Sequence, residues 1–237
     1  MKKSKYETKN AIDSIAFFLK VAKELIIHIV GAGPKTNTIT NLPQNDEDSM
    51  VIGVDNGAHY LIEEGLIPEA IFGDFDSLTV ENLENIKRLV PNVFIYPPEK
   101  DETDLELAIQ WAIKQQPEKI IIHCVTGKRL DHEFGSITLL IKFMNSEIPI
   151  KIVDEYNEIY VIDEGMHLIS KQNQFKYVSF FSLGASVENL TLKGFKYPLT
   201  NHLLEIGSSL CVSNELLEDE GSISFTKGIA LVVRSKD

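Results

Sequence analysis

Acidic and basic side chains gather in three short clusters of this chain: Gly73-Asp74-Phe75-Asp76-Ser77, Asp101-Glu102-Thr103-Asp104 and Gly127-Lys128-Arg129-Leu130-Asp131-His132. Several carboxylates around one cleft suit a hard cation such as Mg2+, which takes oxygen ligands and usually comes with phosphates. Arg129 offers a planar fork that can bond two phosphate oxygens at once. Together these residues could form a magnesium-nucleotide site, with Asp131 binding metal or accepting a proton. Each cluster also has a plainer account. Asp74 and Asp76 could sit in an acidic turn, with Ser77 capping a helix that begins near Leu78. Thr103 and Glu106 match a capping box, which leaves Asp101 and Asp104 at the positive end of a helix, worth ~0.3–1 kcal/mol each. Arg129 and Asp131 could be a surface ion pair worth at most ~1 kcal/mol, and His132 an ordinary first-turn residue.

What separates the two accounts is whether the elements between the clusters bring them together. Leu25–Val30 is a continuous apolar run, as in a strand covered on both faces, and it ends in the loop Gly31-Ala32-Gly33-Pro34. That loop lacks both the third glycine of the dinucleotide fingerprint and the Gly-Lys-Ser/Thr ending of a P-loop. Further strands are expected at Met50–Val54, Glu69–Phe72, Asn92–Tyr96 and Lys119–Val125. Helices are expected at Ala58–Glu64, Val80–Val90, Thr103–Ile113 and His132–Met144. Strands alternating with helices argue for a parallel sheet of βαβ units. Right-handed crossovers then bring Asp55, Asp74, Asp101 and Asp131 to one sheet edge, where open α/β sheets bind ligands. Asp55-Asn56-Gly57 could present backbone N–H groups to a nucleotide at a helix start, or be a tight turn.

After Pro149 the rhythm changes to short, mostly alternating runs punctuated by glycine: Ile150–Val153, Glu158–Ile162, His167–Ser170, Tyr177–Leu183, Ser186–Leu192, Ser209–Val212, Ser222–Thr226 and Ile229–Arg234. These predict antiparallel β structure. The expected organisation is an N-terminal helical extension over 1–24, an α/β domain with a parallel sheet over 25–155 and an all-β sandwich over 156–237. The polar segment Thr36–Asp48 reads as a mobile loop.

The 237 residues carry a net charge of −12, which leaves no broad cationic footprint for nucleic acid. The excess lies in residues 1–164, with 16 basic and 28 acidic groups. A site this acidic repels bare ATP, so a nucleotide would need its metal. Cys124 and Cys211 are the only cysteines; both lie in apolar runs and read as buried thiols of a reducing cytoplasm. The Ile15–Leu19 run is short and broken by Lys20, Lys23 and Glu24, so neither export nor membrane insertion is expected.

In order and spacing, the motifs resemble the thiamin pyrophosphokinase family, also called thiamine diphosphokinases, from about Leu25 to the C-terminus. Asp55-Asn56-Gly57-Ala58 stands where that family has Asp-Gly-Gly-Ala, and Lys128 replaces a glycine of its Gly-Gly-Arg-x-Asp. Gly194-Phe195-Lys196-Tyr197-Pro198-Leu199 is similar to a segment that usually carries Trp, and Ser213-Asn214-Glu215 matches its Ser-Asn-Glu. The resemblance implies an α/β domain, a β-sandwich and a homodimer, with thiamine bound between one subunit's N-terminal and the other's C-terminal domain. It implies Mg2+-dependent transfer of pyrophosphate from ATP to thiamine. Asp74, Asp76, Asp104 and Asp131 would be catalytic, with Asp74, Asp76 and Asp104 on the metal. Asp55, Gly57, Ser77, Asp101, Arg129 and His132 would face ATP, and Tyr197, Ser213 and Asn214 thiamine. Two alternatives stand beside it: a haloacid dehalogenase-type phosphatase, since a strand leads into Asp-Phe-Asp-Ser, and a non-catalytic thiamine- or nucleotide-binding module.

Overall fold

A computed structural model describes residues 25–43, 46–75, 80–97 and 99–237, without the side chains of 80–83. The helical extension expected over residues 1–24 lies outside them. The N-terminal part alternates β1 (Ile26–Val30), β2 (Ser49–Val54), α1 (Asn56–Glu63), β3 (Ala70–Gly73), α2 (Val80–Leu89), β4 (Asn92–Ile95), α3 (Asp104–Lys114), β5 (Lys119–His123) and α4 (Leu130–Phe143). Then follow β6 (Ile150–Val153), β7 (Asn157–Ile162), β8 (Gly165–Ser170), β9 (Tyr177–Ser182), β10 (Val187–Lys193), β11 (Leu199–Leu204), β12 (Glu220–Phe225) and β13 (Ala230–Ser235).

Nine strands form one sheet in the order β4-β3-β2-β1-β5-β6-β7-β13-β9. The pairs from β4 to β6 are parallel, and those from β6 to β9 antiparallel. The apolar runs read from the sequence are its buried centre. Ile27, Ile29, Ile120 and Ile122 pack under Ala108, Ile109 and Ala112 of α3 and Leu140 of α4. Val30 and Val51 on the opposite face pack against Leu61 of α1. A sheet covered on both sides must be apolar on both sides, which is why these strands do not alternate. One exception is the pair His28 and His123, whose ring nitrogens lie 3.0 Å apart. Burial pushes them down to about 4 and about 3, so both are neutral near pH 7 and share one proton donor.

Two expectations about the N-terminal part need correction. The start of Thr36–Asp48 is packed rather than loose: Ile39 and Leu42 are buried beside Leu61, and Thr38 Oγ1 lies 3.1 Å from His123 Nδ1. The capping box is half formed. Thr103 Oγ1 accepts from Glu106 N–H at 3.2 Å, but the Glu106 carboxylate bonds Lys142 and Gln110 instead.

β11, β10, β12 and β8 form a second, antiparallel sheet. Leu190, Leu192, Ile223 and Phe225 from it enclose a core with Phe180 of β9 and Val232 of β13. The sandwich therefore borrows its other layer from the end of the nine-stranded sheet, and residue 155 falls between β6 and β7, which pair within it. Ser209–Val212 is a turn, not a strand. The strand β11 stands earlier, on an edge with register shifts against β10.

Candidate active site

The strand order reverses between β1 and β5, so the loops after these strands diverge and open a crevice. The cleft there has a volume of about 760 Å3. Its walls include Gly31–Gly33 after β1, Asp55 after β2, Lys100 to Thr103 before α3 with Asp104 at its start, and Gly127 to Arg129 before α4 with Asp131 and His132 in its first turn. The N–H groups of Gly31 and Gly33 do not face the cleft as phosphate donors. They donate to His123 O and Cys124 O at 2.8 and 2.7 Å, fastening the first loop to the end of β5.

Asp55 leaves β2 with φ 50 and ψ −121, outside the left-handed helical region that Asp readily adopts, so the turn holds it in a strained conformation. Its N–H donates to Phe72 O at 2.8 Å, and its carbonyl accepts from Ala58 N–H at 3.2 Å. The turn is that sharp because α1 presses on β1. A Cβ on Gly57 would lie 1.9 Å from Val30 O. Packing thus accounts for glycine at 57. Gly73 lets Asp55 sit tight against β3, since a Cβ there would stand 2.7 Å from Asp55 Oδ1.

The electrostatics identify neighbours. Burial first, and then the Asp104 and Asp74 carboxylates, push the Asp55 carboxyl up to about 6 against the opposing effect of Lys100. Three acids from the ends of β2, β3 and the start of α3 are therefore electrostatically coupled. Asp104 is half satisfied: Oδ2 accepts from Lys100 Nζ at 3.1 Å, while Oδ1 is buried with no hydrogen-bond partner among the described residues. Lys100, absent from the residues expected by sequence, also donates to Pro97 O at 3.2 Å. Its partner is only four residues on, so the spacing Lys100-x-x-x-Asp104 is the local signal for the pair. Among the described residues no three His, Cys, Asp or Glu side chains are yet gathered closely enough to hold an ion. Asp76 and Ser77 lie outside the described residues.

Also lining the cleft, Arg129 grips Asp131 through Nε at 3.2 Å and Nη2 at 2.5 Å. This surface pair holds the Asp131 carboxyl below the usual carboxylate range. The turn before it needs left-handed backbone at Gly127 (φ 82) and Lys128 (φ 67), and Gly127 N–H donates to Glu133 at 2.9 Å. Lys128 thus occupies a position that favours the glycine it replaces.

Tyr197, Ser213 and Asn214 come together elsewhere, beside the second sheet, and none of them lines the cleft. Asn214 is buried. Its Oδ1 accepts from Tyr197 N–H and Glu215 N–H at 3.0 and 2.9 Å, and its Nδ2 donates to Tyr197 O at 2.9 Å. It therefore fixes the backbone beneath Tyr197, whose ring is 58% exposed. Ser213 (φ 57) completes the turn by donating its N–H to Ser179 Oγ at 2.9 Å.

Residues 44–152 match the sequence model of the thiamin pyrophosphokinase catalytic domain, and residues 166–230 that of the thiamin pyrophosphokinase vitamin B1 binding domain. A thiamine pyrophosphokinase of Bacillus subtilis is 43% identical over 212 residues, which cover 89% of this chain and 99% of that protein. The crystal structure of the thiamine pyrophosphokinase from Bacillus subtilis superposes with a TM-score of 0.80 at 41% identity, covering 90% of this chain and 99% of that one. That of the thiamin pyrophosphokinase from Geobacillus thermodenitrificans gives 0.77 at 41% identity, covering 90% and 98%. The enzyme from Candida albicans, at 15% identity and TM-score 0.75 over 90% and 89%, shares the fold. The likeness runs through both parts of the chain, including the β region that a phosphatase reading leaves idle, and the chain belongs to the thiamin pyrophosphokinase family.

Proposed function

We propose that this chain transfers the pyrophosphoryl group of ATP to the hydroxyethyl oxygen of thiamine, giving thiamine diphosphate and AMP. The observation that carries the reading is the buried Oδ1 of Asp104, without a hydrogen-bond partner among the described residues, on the wall of a cleft that Asp55 and Arg129 also line, with Asp104 and Asp74 both acting on Asp55. A carboxylate oxygen left dry and unbonded is costly unless something fills the gap, and a hard divalent cation is the partner its chemistry suits. Asp74 and Asp104, with Asp76 from the sequence, would hold Mg2+, which supplies charge neutralisation to the phosphates when bound.

The chain's own groups then divide the work. Arg129 leaves Asp131 and takes phosphate oxygens in the same bidentate way. Asp55, Gly57, Ser77, Asp101 and His132 belong to the ATP side. The thiamine hydroxyl oxygen forms a bond to the β-phosphorus as the α,β bridging bond breaks and AMP departs, so orientation and charge stabilisation suffice without a covalent enzyme intermediate. Asp131 or Asp74 takes the alcohol proton. Arg129 holds Asp131 below the usual range, so that pair must open before Asp131 can act as the base. Tyr197, Ser213 and Asn214 form the thiamine side, Tyr197 giving an exposed aromatic face for a cationic heterocycle. Their separation from the cleft fits a homodimer in which each site draws on both subunits. The domains are assigned to 25–155 and 156–237, and the compartment to the cytoplasm.

Thiamine-dependent AMP formation, followed with and without Mg2+, tests the proposal. AMP and thiamine diphosphate are expected only when thiamine, ATP and Mg2+ are all present, and Asp74→Asn should remove turnover while circular dichroism stays unchanged. Phosphate release without thiamine would favour a phosphatase; tight binding without AMP, a binding module.

A further inference from the structure

Lys100 stands where the proposed metal acids converge. Its side chain is 14% exposed, that of Asp104 15%, and their charged atoms are 3.1 Å apart. The ammonium is steadied by Pro97 O at 3.2 Å and lies 5.8 Å from the centre of the Tyr96 ring. It is also the cation that offsets Asp55, against the combined push of Asp104 and Asp74. A lysine that binds one oxygen of a carboxylate, while the other oxygen has no hydrogen-bond partner among the described residues, leaves the acid half satisfied.

We propose that Lys100 is a built-in counter-ion that competes with the divalent cation for Asp104 and so ties metal binding to nucleotide binding. This rests on the pyrophosphoryl-transfer reading of the site. Without nucleotide, the ammonium occupies the acidic corner and keeps divalent-ion affinity low. A nucleotide's phosphates lie along the same cleft wall and give the ammonium another anion, so Asp104 is released to the metal only when phosphate is there to be neutralised. Lys100 is thus a positioning residue that acts through Asp104, and a specificity device against metal binding alone. Removing its charge makes the carboxylates a better metal site and a worse metal-nucleotide site.

The test uses Mn2+ as an oxygen-seeking probe, with free Mn2+ read by electron paramagnetic resonance at pH 8. Wild type, Lys100→Met, Lys100→Gln and Lys100→Arg are compared as full chains. Without nucleotide, both neutral variants are expected to bind Mn2+ on the order of tenfold more tightly than wild type, and Lys100→Arg like wild type, since one nearby unit charge is removed or kept. With ATP added, Mn2+ affinity should rise in wild type and much less in the neutral variants. Unchanged or weaker Mn2+ binding in whichever neutral variant keeps its wild-type circular dichroism overturns the proposal, as does tight binding in Lys100→Arg. No arm needs turnover, so wild type that binds Mn2+ as described yet forms no AMP with thiamine would refute the activity and leave the counter-ion role standing.

Discussion

Asp55 gives the clearest pH signature at the scale of one residue. In the unfolded chain its carboxyl titrates near 3.8; in the folded protein burial and two neighbouring acids push it up to about 6. The folded state holds this proton more tightly. Its contribution to stability is therefore complete below about pH 4 and is lost as the pH climbs through about 6. Asp55→Asn keeps the size and shape of the side chain and removes the titration. With EDTA present, the variant's denaturant midpoint relative to the parent should rise between pH 4 and 7, then level off. A difference independent of pH would show that Asp55 does not feel the other acids. Part of this site was legible in the sequence because Asp after an apolar strand is a local pattern. That reasoning brought Asp55, Asp74, Asp101 and Asp131 to one sheet edge and passed over Lys100, although its partner Asp104 is only four residues on. The surface ion pair of Arg129 and Asp131, the plainer reading of that motif, is the arrangement the structure shows.

Among the elements, α1 shows how a helix start places a functional group. Gly57 is wedged under Val30 O, so Gly57→Ala must drive α1 off β1 and carry Asp55 with it. A loss of about 3 kcal/mol is expected, the upper range for overfilling a packed contact. Gly135 is the control. It lies inside α4 with open space where a Cβ would go, so Gly135→Ala should stabilise by about 0.5–1 kcal/mol. Urea melts of both variants compare them directly. An equal response would mean that the α1–β1 contact does not constrain the turn. The same elements explain what could be read in advance. β1, β2, β3 and β5 are buried on both faces, so their apolar runs announce them. β11 is an edge strand, Leu-Thr-Asn-His-Leu-Leu, with Asn201 at φ 50 and a slipped register, and its pattern is correspondingly broken. Ser209–Val212 looks like a strand because Leu210, Cys211 and Val212 are apolar; in fact only Cys211 is buried, with its carbonyl accepting from Phe180 N–H at 3.1 Å.

The distribution of apolar surface over the whole molecule bears on how the site is completed. Leu130 and Phe134, one turn apart at the start of α4, are 74% and 62% exposed beside the cleft. Tyr197, Met166, Leu168 and Leu203 are exposed in the C-terminal part. Exposed apolar side chains at two places on one chain are the kind of surface that contact with a second copy would cover. The proposed thiamine residues do not reach the cleft within one chain, so a shared site requires Asp74 of one subunit to work with Tyr197 of the other. Complementation tests that arrangement. Asp74→Asn and Tyr197→Ala should each be nearly inactive as homodimers. Co-expressed in equal amounts, they pair at random, half of the dimers are mixed, and each mixed dimer has one intact site. About a quarter of wild-type turnover should return. If each site lay wholly within one subunit, every site in every mixture would carry one of the two lesions, and mixing would restore nothing.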